Sequence, residues 1–300
     1  VQKRKVILNL GKNSRSSWFL YPLGDTHYGN YGCDERALKR TIKEIETTTN
    51  AYWLGMGDYF DAIDWRDPRF DASSKNKDER IRENKYWIQR EIRKGVKPYE
   101  PIFGKCLGLL EGNHERNIAL RFSYSMVGDF ASRINQYQPT IDEDLENNDL
   151  YLGYETLIHI GVTGNDCRQG KERYNIKIYA HHGFGGGKKP GSHANNLLDL
   201  ATSVDADIYL LGHNHWLLTF AKPRLGLSRN GDRYIRKTLH FVNTGTYLKS
   251  KMLGHDGYEV VKGYSPTIIG SPIIKINIKQ SKEKKRQSDS INIETSIKQA

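Results

Sequence analysis

The feature that most constrains this chain is a pattern met five times along it: a short apolar run, then a tight turn carrying acids, amides or imidazoles. The segments are Gly24-Asp25-Thr26-His27, Gly57-Asp58-Tyr59-Phe60-Asp61, Gly112-Asn113-His114-Glu115, His181-His182-Gly183 and Gly212-His213-Asn214-His215. Side chains on an extended backbone repeat their direction every two residues, so Asp-x-His and His-x-His each aim two polar groups to one side. The glycines permit the sharp turns such strand ends need. One such segment is weak evidence, because a lone Asp-x-His is more often a polar loop. Five in one order, each at the exit of an apolar run, describe a single site. Its donors are carboxylate, imidazole and amide oxygen without thiolate, a set that suits manganese, iron, zinc, nickel or cobalt. Two such cations held about 3.5–4 Å apart can clamp both the attacking and the leaving oxygen of an in-line phosphoryl displacement.

The surrounding pattern fits an α/β chain with ligands at strand ends. An apolar run at 17–23 ends at Asp25, and a helix follows over 34–47, with Asp34 as N-cap and Leu38, Ile42 and Ile45 on one face. A second strand at 51–56 again ends in Gly-Asp. Residues 64–105 are charged, with a helix expected over 77–93. Their aromatic and basic residues (Trp65, Arg66, Arg69, Phe70, Arg80, Arg82, Lys85, Tyr86, Arg90, Arg93) suggest a cap over the pocket, with Trp87 packed inward. A strand at 106–110 precedes Asn113, a helix is expected over 116–137 and an acidic connection over 138–148. Strands at 150–162, 174–180 and 208–211, a helix at 192–203 and a mostly β region at 216–278 complete the domain. One domain over 1–279 is expected, with a helical insertion at about 64–105 and a polar, mobile tail at 280–300.

The series Asp-x-His, Gly-Asp-x-x-Asp, Gly-Asn-His-Glu, His-Gly and Gly-His-x-His resembles the signature of the calcineurin-like metallophosphoesterases. Phe241-Val242-Asn243-Thr244-Gly245-Thr246 is similar to the Asn-Pro-Gly-Ser segment that follows the last metal motif in many members, so the resemblance covers about 17–247. It implies two mixed β-sheets packed as a β-sandwich flanked by helices, with a di-metal site at the strand ends. It also implies that Asp25, His27 and His215 hold one cation, and that Asp58 bridges two. Asn113, His213 and His182 would complete the second, with His181 the alternative to His182. His114 would serve as general acid or hydrogen-bond donor at the scissile phosphate, oriented by Asp61. The activity implied is hydrolysis of phosphoesters by a hydroxide bridging two divalent metals, manganese favoured, without a covalent phospho-enzyme. The protein-phosphatase branch continues its second motif with a phosphate-gripping arginine. Here Ala62 and Ile63 stand instead, which points away from phosphoproteins.

Charge enters in choosing the substrate. The formal net charge is +11, with five basic and no acidic residues in 1–15. Such a surface favours polyanions, so a phosphodiesterase acting on nucleic acid or nucleotides is the leading expectation. A phosphomonoesterase or pyrophosphatase on a small nucleotide-linked substrate, or a non-catalytic metal-binding scaffold, is the alternative. No apolar run approaches the roughly 18 residues of a membrane-crossing helix. Cys33, Cys106 and Cys167 form no CxxC pair, and a reducing, cytoplasmic setting is expected. Residues 1–11 do not read as a secretory signal. Two features count against tempting alternatives. Gly183 to Lys189 lacks phosphate-loop spacing and reads as a loop beside the metals whose lysines reach substrate phosphate; His193 reads as a solvated helix-end histidine.

Overall fold

The computed structural model describes residues 2–9, 15–63, 66–67, 70, 86–137, 149–163, 174–228, 230–251, 263, 265–279 and 290–299. In chain order the elements are β1 (Gln2–Asn9), β2 (Arg15–Leu23), α1 (Glu35–Thr47), β3 (Ala51–Gly55), α2 (Trp87–Val96), a 3-10 helix (Lys97–Lys105), β4 (Cys106–Leu109), α3 (Asn113–Phe122), α4 (Met126–Asn135), β5 (Glu155–Thr163) and β6 (Tyr174–His181). There follow α5 (Pro190–Ser203), β7 (Ile208–Leu211), β8 (Leu217–Leu227), β9 (Tyr234–Thr244), β10 (Gly270–Lys279) and β11 (Ser290–Gln299). They make a six-stranded sheet ordered β1-β5-β6-β7-β9-β8 and a five-stranded sheet ordered β11-β10-β2-β3-β4. Both are mixed: β2, β3 and β4 run parallel, as do β6, β7 and β9, while β10 and β8 join antiparallel.

Period-2 alternation decides the layers. In β2, Trp18 and Leu20 face the other sheet, meeting Ile158, Ile178, Leu210 and Val242 in a core between the sheets. Tyr21 and Leu23 point the opposite way, into a second core with Leu38, Ile42 and Ile45 of α1 and Val127, Phe130 and Ile134 of α4. On the far side Tyr209, Leu211 and Phe241 pack with Leu197 of α5. The expected helix-flanked sandwich of two mixed sheets is therefore present. Each fully buried large apolar side chain contributes on the order of 1.5–3 kcal/mol.

Helix α1 is closed at both ends by side chains. Asp34 accepts from the Ala37 amide at 3.0 Å, and Lys105 Nζ donates to the carbonyls of Ile45, Glu46 and Thr48 at 2.6, 2.9 and 2.7 Å. An ammonium placed there satisfies orphan carbonyls and complements the helix dipole. Lys105→Met is expected to lower stability by about 1–2 kcal/mol in urea denaturation. A loss below about 0.3 kcal/mol would mean that solvent serves those carbonyls equally well.

Several local expectations are corrected. The N-terminus forms β1, parallel to β5, which the charged residues of 2–9 concealed. The expected 116–137 helix is two helices starting at Asn113, broken where Ser123 adopts φ 52° and Ser125 caps α4 through Gly128 N. The first strand after the acidic connection starts at Glu155, not 150, and α5 begins at Pro190, a residue pre-set for the first helical turn. The tail was expected to be mobile, yet 290–299 form β11, antiparallel to β10. Its alternation of Ile291, Ile293 and Ile297 with polar residues is the period-2 signal of a half-buried strand, and Ile293 packs on the inter-sheet core. In the charged 64–105 stretch, Trp87, Ile92, Tyr99, Ile102 and Phe103 are buried in the core with α1 and α4, and Arg66 lies 5.1 Å over the Phe122 ring. Trp65, Arg69, Arg80, Arg82, Lys85, the first part of the 77–93 helix, the 138–148 connection and Cys167 lie outside the described residues.

Candidate metal centre

The five polar segments leave the ends of β2, β3, β4, β6 and β7. Seven non-glycine residues among those described have positive φ, and five of them are Asp25, His27, Asp58, His213 and His215, at 49°, 46°, 52°, 69° and 60°. Asp and His tolerate the left-handed region better than most residues, and this backbone turns each side chain inward from a strand end. Gly57, at φ 92°, lets the chain pass where a Cβ would stand 2.5 Å from His182 Nδ1.

The side chains converge in overlapping groups. Asp25, His27 and His215 offer ligand atoms within 4.8 Å of one another, as do Asp58, His182 and His213, and as do His27, Asp58 and His114. His27 Nε2 and His215 Nε2 are 3.1 Å apart, and Asp25 Oδ1 is 3.5 Å from His215 Nε2. Asp25 Oδ1 is buried without a hydrogen-bond partner, whereas Oδ2 accepts from the His213 amide at 2.9 Å. Across Asp58, whose Oδ2 lies 3.5 Å from His182 Nε2, sit Asn113 Oδ1, 3.2 Å from the same nitrogen, and the His213 ring, 5.4 Å from the His182 ring. His182 Nδ1 donates to the Met56 carbonyl at 2.7 Å, which leaves Nε2 as the nitrogen aimed at the carboxylate. Converging ligand atoms, a buried carboxylate oxygen with no hydrogen-bond partner among the described residues and a hard-to-intermediate donor set fit divalent cations.

His181 goes elsewhere. Its Nδ1 accepts from the Gly183 amide at 2.8 Å, and its ring packs near Tyr179 and Phe184. His114 stays at the centre: its ring is 4.6 Å from that of His27, its Nε2 is 4.0 Å from Asp58 Oδ2, and its amide donates to Asp58 Oδ1 at 2.9 Å. Asp61 is buried on the wall of the same cavity.

Electrostatics hold His27 and Asp58 in their ligand forms and give His182 a proton that a cation would have to displace. Burial, and next the neighbouring His114, push His27 well below the ordinary imidazole value, so it stays neutral. Burial opposes ionisation of Asp58, but His114, His182 and His27 outweigh it and hold its carboxyl well below the usual range. Burial opposes charge on His182, and the Asp58 and Asp25 carboxylates outweigh it, raising the imidazole from 6.5 to about 9. The protonated His182 therefore stabilises the metal-free fold fully below pH 6.5, and this is lost as pH rises through about 9. A cation replaces that proton, and its binding strengthens with pH. In EDTA the melting temperature is expected to fall between pH 6.5 and 9, while that of the metal-loaded protein holds or rises. A metal-free profile that is flat or rises across this window would contradict the His182–Asp58 pairing.

Glu115 has no role assigned from the sequence, and the structure supplies one. Fully buried, it accepts from the amides of Asp58 (3.0 Å), Gly112 (3.0 Å) and Phe60 (3.1 Å). It thus ties the Asp58 turn to the start of α3. Burial, followed by the Asp58 carboxylate, pushes it up to about 8, against the amides that favour its ionised form. The readable signal is Gly-x-x-Glu at a helix start, the spacing of a capping box. Asn214 was also missed as a brace: its Nδ2 donates to Asn243 Oδ1 at 3.2 Å and its Oδ1 accepts from the Trp216 amide at 3.0 Å. The 241–246 segment carries the floor, where Thr246 Oγ1 and the Tyr247 amide both donate to the Asp25 carbonyl.

Over the centre lies a cavity of about 270 Å³. His193, expected in solvent, is 2% exposed and lines it, donating through Nε2 to the Gly187 carbonyl at 2.9 Å and packing on Trp216 at 5.0 Å. The Gly185 to Lys188 loop forms part of the same wall.

No family model and no curated protein matches the sequence. Several solved structures resemble the chain, two of them as follows. One is a conserved uncharacterised protein from Streptococcus pneumoniae, described as a predicted phosphoesterase, with 11% identity, 93% of this chain and 89% of that chain covered, and a TM-score of 0.31. The other is a double mutant of Vps29 from Entamoeba histolytica, with 13% identity, 93% and 98% covered, and a TM-score of 0.29. Both are distant in sequence and loose in superposition, and the functional reading rests on the geometry of the site. No helix among the described residues is long and apolar enough to cross a membrane.

Proposed function

We propose that this chain is a metal-dependent phosphoesterase of the calcineurin-like kind, acting on phosphodiesters of nucleic acid or nucleotides. The observation that carries the reading is the pair of ligand groups, Asp25-His27-His215 and Asp58-His182-His213, with Asp58 offering a ligand atom within 4.8 Å of His27 as well as of His182 and His213. On this reading Asp25, His27 and His215 hold the first cation, Asp58 is shared, and Asn113, His182 and His213 hold the second. His181 is left out because its ring turns away. The donor set suits manganese, and also iron, zinc, nickel or cobalt. When bound, two such cations supply charge neutralisation at the phosphoryl oxygens and a nucleophilic hydroxide from water near neutral pH.

The chain's own groups do the rest. His114, buried beside Asp58, holds a proton on Nε2 and gives it to the leaving oxygen as the phosphorus–oxygen bond breaks and water oxygen takes its place on phosphorus. Asp61 orients that imidazole. No serine or cysteine nucleophile enters, and Ala62, buried at the end of the Asp58 turn, supplies no phosphate-gripping arginine, which separates this site from protein phosphatases. The basic surface raises the local concentration of anionic substrate. A single catalytic domain with an insertion at about 64–105, in a reducing cytoplasmic setting, belongs to the same reading.

The test is hydrolysis of bis-p-nitrophenyl phosphate by the wild type in EDTA and after manganese is restored, beside His114→Ala. Activity is expected with metal only, and His114→Ala is expected to lose about 10²–10⁴-fold in kcat with metal still bound. Equal inactivity of both proteins with two metals bound would favour a binding scaffold.

A further inference from the structure

The cavity over the metal centre has a side that the hydrolytic machinery does not use. Lys188 is the single lysine or arginine of its described wall, is exposed, and has no carboxylate partner among the described residues. It is not carried on a loose loop. Gly187 before it is held through its carbonyl by His193 Nε2, and Lys189 after it is held through its carbonyl by Ser192 Oγ at 2.7 Å and the Ser192 amide at 3.1 Å. The ammonium lies near Gly263, where an added Cβ would stand 3.5 Å from Nζ. Beside it stands Trp216, packed on His193 at a 31° interplanar angle and following His215 directly in the chain. An aromatic ring and a cation without a carboxylate partner among the described residues thus line the same cavity as the candidate ligands.

Resting on the phosphodiesterase reading, we propose that Lys188 and Trp216 form a subsite for the substrate's remainder, selecting nucleotide-type phosphodiesters that carry a planar base and a second phosphate. Trp216 offers a stacking surface to the base. Lys188 meets the second phosphate as a point charge, a role in which lysine is a common phosphate binder. A cavity of about 270 Å³ is of the scale that takes a small ligand rather than a duplex.

The experiment compares kcat/KM for a thymidine dinucleotide with and without a 5′-terminal phosphate, in the manganese-loaded wild type, Lys188→Met, Lys188→Arg and Trp216→Leu. The wild type is expected to prefer the phosphorylated dinucleotide by about tenfold or more, Lys188→Met to bring that ratio near one, and Lys188→Arg to keep most of it. Trp216→Leu is expected to raise KM for both dinucleotides by about five- to twentyfold with little change in kcat. A wild-type ratio near one, or a ratio unchanged by Lys188→Met, overturns the subsite while bis-p-nitrophenyl phosphate is still cleaved. A preference for long single strands that falls steeply with salt and ignores the end phosphate overturns it in favour of a polymer substrate. Absence of metal-dependent cleavage of all three compounds overturns the phosphoesterase reading and the subsite with it.

Discussion

Asp58→Asn is expected to reduce bound metal from two ions per chain to one or none. The same change should lower kcat/KM by about 10³-fold or more, beyond the 10–100-fold typical of partners outside the ligand shell. Asn keeps the Oδ1 acceptor for the His114 amide, so the backbone turn survives and the deficit is one of charge. Without that charge His182 loses the partner that raises it to about 9, and the two ligand groups lose the anion placed between them. Metal analysis by mass spectrometry, read beside bis-p-nitrophenyl phosphate hydrolysis, checks both parts. Two metals retained with activity within about tenfold would remove Asp58 from the shared position that the reading requires.

The second large effect is on stability and comes from a residue outside the ligand set. Glu115→Ala leaves three buried amides, those of Asp58, Phe60 and Gly112, without an acceptor. At about 1–3 kcal/mol for each of the three orphaned donors, the expected loss is about 3–9 kcal/mol, a large share of a typical folding free energy of about 5–15 kcal/mol. Glu115→Gln supplies a graded test that does not depend on purifying so destabilised a variant. It keeps the volume and one acceptor oxygen, and should cost about 1–3 kcal/mol while lowering kcat some 10–100-fold through a loosened Asp58 turn. Urea denaturation measures the first quantity. A Glu115→Ala loss below about 1 kcal/mol would show that the amides find other acceptors.

How much of this was legible beforehand depends on the range over which each signal acts. Helix α1 was readable because its cap and apolar face are local: Asp34, Leu38, Ile42 and Ile45 lie within one short stretch. The strands β3, β4 and β7 were readable because they are buried on both faces and appear as continuous apolar runs. β1 was not, because its position comes from register against Thr156 to Thr163, about 150 residues away, and three of its eight residues are basic. The candidate ligands were legible as a set because turn chemistry and donor type coincide in each segment. His181 and His182 could not be separated by spacing, since neighbours on a strand face opposite sides and the sequence does not say which side is inward. His193 was misread for a related reason: its burial comes from Trp216 and Gly187, partners on other loops.

The left-handed backbone at Asp25, His27, Asp58, His213 and His215 has a consequence for anyone who selects this protein for robustness. Each such residue holds a conformation that costs on the order of 1–3 kcal/mol, and glycine at the same place would adopt it without that cost. A screen scored on heat resistance of the metal-free protein should therefore enrich glycine at these positions and discard catalysis as it does so. The turns that aim the ligands are held against the preferences of their own backbone, so durability and activity are opposing selections at this one edge of the sandwich.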